Sequence, residues 1–321
     1  MSTVLIHGAA GFVARPLVLR LAELSASRLI LVDRRPVPEA LRVGVIARGA
    51  DVEVHRAVTL RGLTVQSDVD ALVVLAGQTD VDEALAEPAR AFEDNVQIAV
   101  DAAEWLRVSR QRSRLIYLSS DEVLGESFVA LSESAPRRPT QPYAASKSAA
   151  EMVLTCYRDT YSLDVVIVRS CNLVGSHQRA HKLIPTAVTH LTQGEKVPIF
   201  GSGTCLREWL AVEDLCDAIG QLVSLDSPGQ IYHCGSGVRL TALEVVGLVA
   251  TALDLEAQWH HVQDRLVHDR AYAMDCSRLR SIGWSPKRDV SDAIVGASRS
   301  MAAALAQGEV LVGPRALIGG R

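Results

Sequence analysis

Val4 to His7 is an apolar, β-branched run, and Gly8-Ala9-Ala10-Gly11-Phe12-Val13-Ala14 follows it at once. Leu17, Leu21 and Leu24 then recur at helical spacing, and Leu29-Ile30-Leu31-Val32-Asp33 forms a second apolar run. Strand, glycine turn, helix, strand is a βαβ unit, which commits the chain to parallel strands with a covering helix. Glycines at 8 and 11 let the backbone turn tightly and approach a pyrophosphate, and the helix that follows offers its N-terminus to that anion. Asp33 closes the second strand where a carboxylate accepts from a ribose 2′-hydroxyl. The plain alternative, a glycine-rich turn with a surface aspartate, does not explain why the three features share one βαβ unit. Asp33 repels a 2′-phosphate and so favours NAD over NADP, whereas Arg34 and Arg35 are residue types that can host that phosphate. Pro16 is tolerable only if its missing N–H belongs to the first helical turn.

Short apolar runs continue at Val52 to Val54, Ala71 to Leu75, Leu115 to Leu118 and Val165 to Val168, with helical patterns at Asp82 to Leu106 and Tyr143 to Tyr161. The alternation predicts an α/β fold, a Rossmann-type doubly wound parallel sheet covered on both faces. From Asn172 to Gly203 the chain turns often, with helical periodicity from Leu183 to Leu191 and a short strand and turn at Val197 to Gly203. Thr241 to Leu253 reads as a helix with Thr241 and Glu244 as a capping box. The expected division is an NAD-binding domain over 1–170, a segment returning to the sheet over about 205–232 (crossing near Glu208 to Leu222), and a smaller mixed α/β substrate-binding lobe from 171–204 and 233–321. The Gly-rich tail after Gln307 is expected to be poorly ordered.

The chain has 321 residues, 48% of them hydrophobic, and a net charge of −4. That balance excludes the basic surface of a nucleic-acid binder, and no apolar run is long enough for a membrane span. The N-terminus enters a strand directly, without the basic start and apolar stretch of a signal peptide. Six scattered cysteines with no CxxC pair suit reduced thiols in a cytoplasmic protein. His177, His181, His260 and His261 show no metal-ligand spacing, so no metal is expected.

Tyr143 and Lys147 stand four apart on one face of the helix that Pro142 opens. A lysine ammonium beside a phenol favours the phenolate, which can take a proton from a sugar or alcohol hydroxyl. Ser119-Ser120-Asp121-Glu122 follows the strand Leu115 to Leu118, and carboxyl ends of parallel strands are where ligands bind. By itself Ser-Ser-Asp-Glu is also a helix N-cap with acidic first-turn residues, and Tyr143 to Lys147 by itself is also a solvated helix start.

In this order, the glycine turn, the strand-end Ser-Asp-Glu and Tyr143-Ala144-Ala145-Ser146-Lys147 resemble the extended short-chain dehydrogenase/reductase family. Within it they are most similar to nucleotide-sugar 4,6-dehydratases of the dTDP-glucose 4,6-dehydratase type. The likeness covers nearly the whole chain, through Gln78-Thr79-Asp80-Val81-Asp82, Asp94-Asn95-Val96, Ser120 to Gly125, Lys182-Leu183-Ile184-Pro185, Leu206 to Leu210, Val212-Glu213-Asp214 and His268 to Ala273.

The resemblance implies a sequence of roles. Tyr143 would deprotonate the C4 hydroxyl as NAD takes hydride from C4, with Lys147 lowering its pKa and Ser120 bonding the C4 oxygen. Glu122 would remove the C5 proton, Asp121 would protonate the leaving C6 hydroxyl, and hydride would return to C6. It further implies cofactor contacts from Gly8, Gly11, Phe12, Val13, Asp33, Arg34, Leu75, Ala76, Gly77, Thr79, Asn95, Tyr143 and Lys147. The nucleotide diphosphate-sugar would meet Thr79, Ser120, Asn172, Lys182, Leu183, Arg207, Arg270 and Tyr272, and a homodimer would form, for which Ala144, Ala145, Ser148 and Ala149 permit close helix packing.

The sequence departs from that family at several points. Asp80 stands where histidine is common, Leu124 replaces a tyrosine, Ala14 the third glycine and Val267 a glycine. The third strand ends in His55-Arg56-Ala57-Val58 without the aspartate that binds the adenine amine. A nucleotide-sugar 4-epimerase using Tyr143, Lys147 and NAD, with Asp121 and Glu122 in structural roles, is the competing expectation; a catalytically silent nucleotide-binding protein is a third.

Overall fold

A computed structural model describes residues 2–24, 26–109, 112–226 and 229–308. The chain runs β1 (Ser2–His7), α1 (Ala14–Leu24), β2 (Ala26–Asp33), α2 (Glu39–Ile46), β3 (Asp51–Arg56), β4 (Ala71–Val74), α3 (Val81–Ala86), α4 (Pro88–Ser109) and β5 (Arg114–Ser120). After a short 3₁₀ turn at Asp121–Leu124 come α5 (Pro142–Tyr161), β6 (Val165–Ser170), β7 (Asn172–Val174), α6 (Leu183–Thr192), β8 (Val197–Phe200), β9 (Arg207–Ala211) and α7 (Val212–Val223). The last elements are β10 (Ile231–Cys234), β11 (Arg239–Leu240), α8 (Ala242–Ala252), β12 (Trp259–Val262), α9 (Ser277–Ser281) and α10 (Val290–Ala306). The tail beyond residue 308, for which the sequence suggests poor order, lies outside the described residues.

The central sheet has seven strands in the order β10-β6-β5-β4-β1-β2-β3, every pair parallel. This is the doubly wound Rossmann arrangement, and its strand order reverses between β1 and β4, where a crevice opens at the carboxyl ends. The two-residue period of a strand sends alternate side chains to opposite faces. Val4, Ile6, Leu29, Leu31, Val73 and Ile116 pack with α1 and α7. Leu5, Ile30, Val32, Leu72, Val74 and Tyr117 pack with α4 and α5 on the other side. A third core joins α6, α8 and α10 through Val188, Val246 and Ile294, with Trp209 of β9.

Two local expectations change. The helical run Asp82 to Leu106 is two helices, because Pro88 cannot continue α3 and instead opens α4. The return to the sheet is made by α7 and β10, while β9 pairs with β7 and β11 in a separate three-stranded sheet. Pro16 falls in the first turn of α1, where no N–H is required. The Thr241–Glu244 capping box is formed, with Thr241 N–H donating to Glu244 at 2.8 Å.

Candidate active site

A cavity of about 1040 Å³ runs along the carboxyl ends of β1, β2, β4 and β5 and under α6 and β9. At one end the glycine turn closes tightly. Gly8 has φ of +95° and its missing Cβ would lie 2.5 Å from Ala76 N, so the loops after β1 and β4 touch only because glycine is there. Gly11, Phe12 and Val13 line the cavity just before α1, with the Gly11 N–H donating to the Gly8 carbonyl at 3.0 Å. Asp33 is buried; its Oδ2 accepts from Ala10 N–H at 2.9 Å and its Oδ1 from Arg35 N–H at 2.8 Å. Arg34, Leu75, Ala76, Gly77 and Thr79 complete this end. A glycine turn without side chains, a helix N-terminus and a fixed carboxylate are the groups a dinucleotide needs, so these residues fit NAD. The end of β3, His55 to Val58, carries no aspartate, and Asp101 of α4 lines the wall there, accepting from Thr59 and from Gln97 at 2.7 Å.

The strand end of β5 delivers Ser120, Asp121 and Glu122 to the same cavity that Tyr143 and Lys147 reach from α5. Both readings of Ser-Asp-Glu hold at once. Ser120 caps the 3₁₀ turn, its Oγ accepting from Glu122 N–H at 3.3 Å, and the turn thereby aims two acids inward. Burial drives the Asp121 carboxyl well above the usual range, and the charges of Glu122 and Glu208 push it further. Burial also raises Glu122, but Arg207, Lys182, Arg265 and a hydrogen bond from Gln141 oppose it. Both carboxyls are therefore raised, Asp121 well above its usual range and Glu122 against the pull of three cations, so Asp121 is the neighbour that keeps its proton to higher pH.

One expectation is corrected here. Lys147 does not lower Tyr143 in this arrangement: burial, then the Glu122 and Asp121 charges, raise the phenol, and only a bond from Ser120 opposes them. The Lys147 ammonium bonds Tyr117 Oη at 2.9 Å and the Leu118 carbonyl at 2.6 Å, and burial brings it down to about 7.

On the substrate side, Asn172, Lys182, Leu183, Arg207 and Tyr272 line the cavity. Arg207 stacks over the Tyr272 ring at 4.6 Å and donates to the Asp269 carbonyl at 2.7 Å, so its guanidinium is held in place. Two assigned residues are not brought to the cavity. Asn95 is buried behind it, its Oδ1 accepting from Gln78 N–H at 2.9 Å and its Nδ2 donating to Ser146 Oγ at 2.9 Å, which makes it a brace between α4, the loop after β4 and α5. Arg270 points outward and is held on Glu126 through Nε and Nη2, with Nη2 to Oε1 at 2.6 Å.

The cavity also contains residues that sequence reasoning missed. Arg265 is held by Asp82 at 2.6 and 2.9 Å and packs over Phe200, and Gln141 precedes α5. Arg265 sits two residues before Val267, just ahead of the segment His268 to Ala273 that supplied Arg270 and Tyr272. The departure at Asp80 is matched across the cavity by His181, whose Nε2 lies 2.7 Å from Asp80 Oδ2. Asp80 Oδ1 meanwhile caps α3, accepting from Asp82 and Glu83 N–H.

A family model described as NAD dependent epimerase/dehydratase matches residues 4–235. The dTDP-glucose 4,6-dehydratase of Streptomyces niveus is 37% identical over 236 residues, spanning 70% of this chain and 68% of that protein. The low-salt glycan biosynthesis protein Agl12 of Haloferax volcanii is 34% identical over 233 residues, spanning 71% and 74%. Among solved structures, DesIV, the dTDP-glucose 4,6-dehydratase of Streptomyces venezuelae with NAD and TYD bound, superposes with a TM-score of 0.86 at 30% identity, covering 93% of this chain and 96% of that one.

Proposed function

The chain belongs to the NAD dependent epimerase/dehydratase family, and from that premise we propose that it is an NAD-dependent nucleotide-sugar 4,6-dehydratase, converting an NDP-hexose to an NDP-4-keto-6-deoxyhexose. The observation that carries this reading is the convergence of Ser120, Asp121 and Glu122 with Tyr143 in one cavity. A 4-epimerase has no use for an acid and a base beyond the hydroxyl-activating phenol.

The cofactor, when bound, supplies a hydride acceptor and donor together with a positive charge. Tyr143, raised by burial and by two carboxyls, is the group that such a charge returns towards ionisation, and it takes the C4 hydroxyl proton. Ser120 holds the C4 oxygen. Once C4 is a ketone the C5 proton is acidic, and Glu122 removes it while Asp121 gives its proton to the departing C6 hydroxyl. Glu122 later returns a solvent-exchanged proton to C5. Arg207, with Lys182 and Asn172, receives the nucleotide diphosphate, for which a fixed guanidinium is suited.

On this reading residues 1–170, with the return through α7 and β10, form the NAD-binding domain, and 171–204, β9 with Arg207, and the residues from 235 to 308 form the lobe that takes the sugar nucleotide. The enzyme works as a homodimer. Ala144 and Ser148 are already buried within the chain, so of those four small residues Ala145 and Ala149 remain for a partner. Six free cysteines suit the cytoplasm, and among the described residues no helix is long and apolar enough to cross a membrane. NMR of products formed from candidate sugar nucleotides in deuterated water tests the proposal. Deuterium at C5 and a new C6 methyl group are expected; inversion at C4 without label would make the protein an epimerase.

A further inference from the structure

Gln141 makes two hydrogen bonds that belong to different parts of the site. Its Oε1 accepts from Tyr143 N–H at 2.7 Å, which caps α5, and its Nε2 donates to Glu122 Oε2 at 2.7 Å. The side chain is buried at 6% exposure and faces the cavity. Glutamine is not a favoured helix cap; Ser, Thr, Asp and Asn are. A short cap would satisfy the Tyr143 amide, but only a longer amide also reaches a carboxylate on the neighbouring strand end. The amide has one orientation here, because Tyr143 N–H requires the oxygen and the Glu122 carboxylate requires the nitrogen.

Resting on the dehydratase reading, we propose that Gln141 is a positioning residue: it ties the C5 base, Glu122, to the helix that carries Tyr143 and fixes which carboxyl oxygen faces the sugar. Oε2 is committed to the amide, and among the described residues no protein hydrogen bond engages Oε1, so Oε1 is the oxygen presented to C5. The arrangement holds only while Glu122 accepts. A proton on Oε2 would meet an N–H, and turning the amide would break the cap. Asp121 has no such donor; its bond is from Ser120 Oγ at 3.2 Å. The other charged or titratable groups around Glu122 are Arg207, Lys182, Arg265, Asp121, Tyr143 and Tyr272, and none of them also caps the catalytic helix.

The test compares Gln141→Ser, which keeps a cap, with Gln141→Ala, which removes it, and runs Glu122→Gln in parallel. In Gln141→Ser the melting temperature should stay near wild type. C5 deuterium exchange should fall about 10- to 100-fold, C4 oxidation should fall less, and the acidic limb of the exchange profile should move to higher pH with KM for the sugar nucleotide held. Equal losses of oxidation and exchange with no movement of the acidic limb in Gln141→Ser, or losses confined to Gln141→Ala, would reduce Gln141 to an ordinary cap and overturn the proposal. If Glu122→Gln itself leaves C5 exchange intact, the dehydratase assignment of the base has failed instead.

Discussion

Lys147 Nζ lies 2.9 Å from the Tyr117 hydroxyl and 4.2 Å from the centre of the same ring. The ammonium is thus held by a phenol, a ring face and the Leu118 carbonyl, with no carboxylate in direct contact among the described residues, and burial brings it from 10.5 to about 7. A lysine lowered on folding binds fewer protons in the native than in the unfolded state. Its penalty is full below about 7 and disappears as pH rises towards the unfolded value. Relative to Lys147→Met, wild-type stability should therefore rise between pH 7 and 9, by up to about 1.4 kcal/mol per pH unit. Urea unfolding of both proteins across that range checks it, and parallel curves would refute it.

Glu122→Gln should retain C4 oxidation, seen as reduced-nicotinamide absorbance, while C5 exchange and dehydration fall about 10²- to 10⁴-fold. In the wild type, kcat should lose activity on the acid side as Glu122 takes a proton, at a pH above the ordinary carboxylate range because burial raises it. Loss of the Asp121 proton should set the alkaline limb. A bell-shaped profile that keeps both limbs in Asp121→Asn would remove Asp121 from the acid role.

Asp121 should also lower stability. A carboxyl raised on folding favours the native state only while both states can be protonated; that advantage fades as pH rises from the unfolded value through the folded one. Asp121→Asn should accordingly be more stable than wild type at neutral pH, by about 1–3 kcal/mol, while losing activity. Denaturant midpoints at pH 5 and pH 8 give the sign, with the gap larger at pH 8.

Behind the site, Glu151 accepts from Ser119 Oγ at 2.6 Å, from Arg169 at 2.9 and 2.7 Å, and from Arg137 at 2.9 Å. Arg169 is only 1% exposed, so Glu151→Ala strands a buried guanidinium and should cost about 3–5 kcal/mol by urea unfolding. These donors also hold Glu151 below its usual pKa. Its contribution is present above the unfolded value and lost as pH falls through the folded one.

Asp80 serves the α3 cap with one oxygen and His181 with the other, so the two duties can be separated. Asp80→Asn should keep the cap yet loosen the loop that carries Lys182, raising KM for the sugar nucleotide several-fold. Asp80→Ala should lose about 1 kcal/mol of stability as well. Steady-state KM and melting curves for the two variants distinguish these effects.

The sheet was legible because its strands, buried on both faces, read as continuous apolar runs between amphipathic helices. Gly8 and Asp33 were legible because backbone geometry dictates their residue types. What the sequence hid were pairings across long separations. Asp80 looked like a lost histidine until His181 was seen opposite it. The contact of Arg270 with Glu126, 144 positions away, leaves no local sign, and neither does that of Gln141 with Glu122. Pro88 was a visible signal that the helical period outweighed.

The Asn95 brace limits how this enzyme can be recombined with its relatives. A Cβ at Gly77 would come within 2.6 Å of Asn95 Oδ1, and the same asparagine reaches Ser146 on the catalytic helix. Positions 77, 95 and 146 thus fit one another as a block. A chimaera whose crossover falls between them would splice a loop and a helix never fitted to each other, and would misplace Tyr143 without altering any residue that meets the sugar.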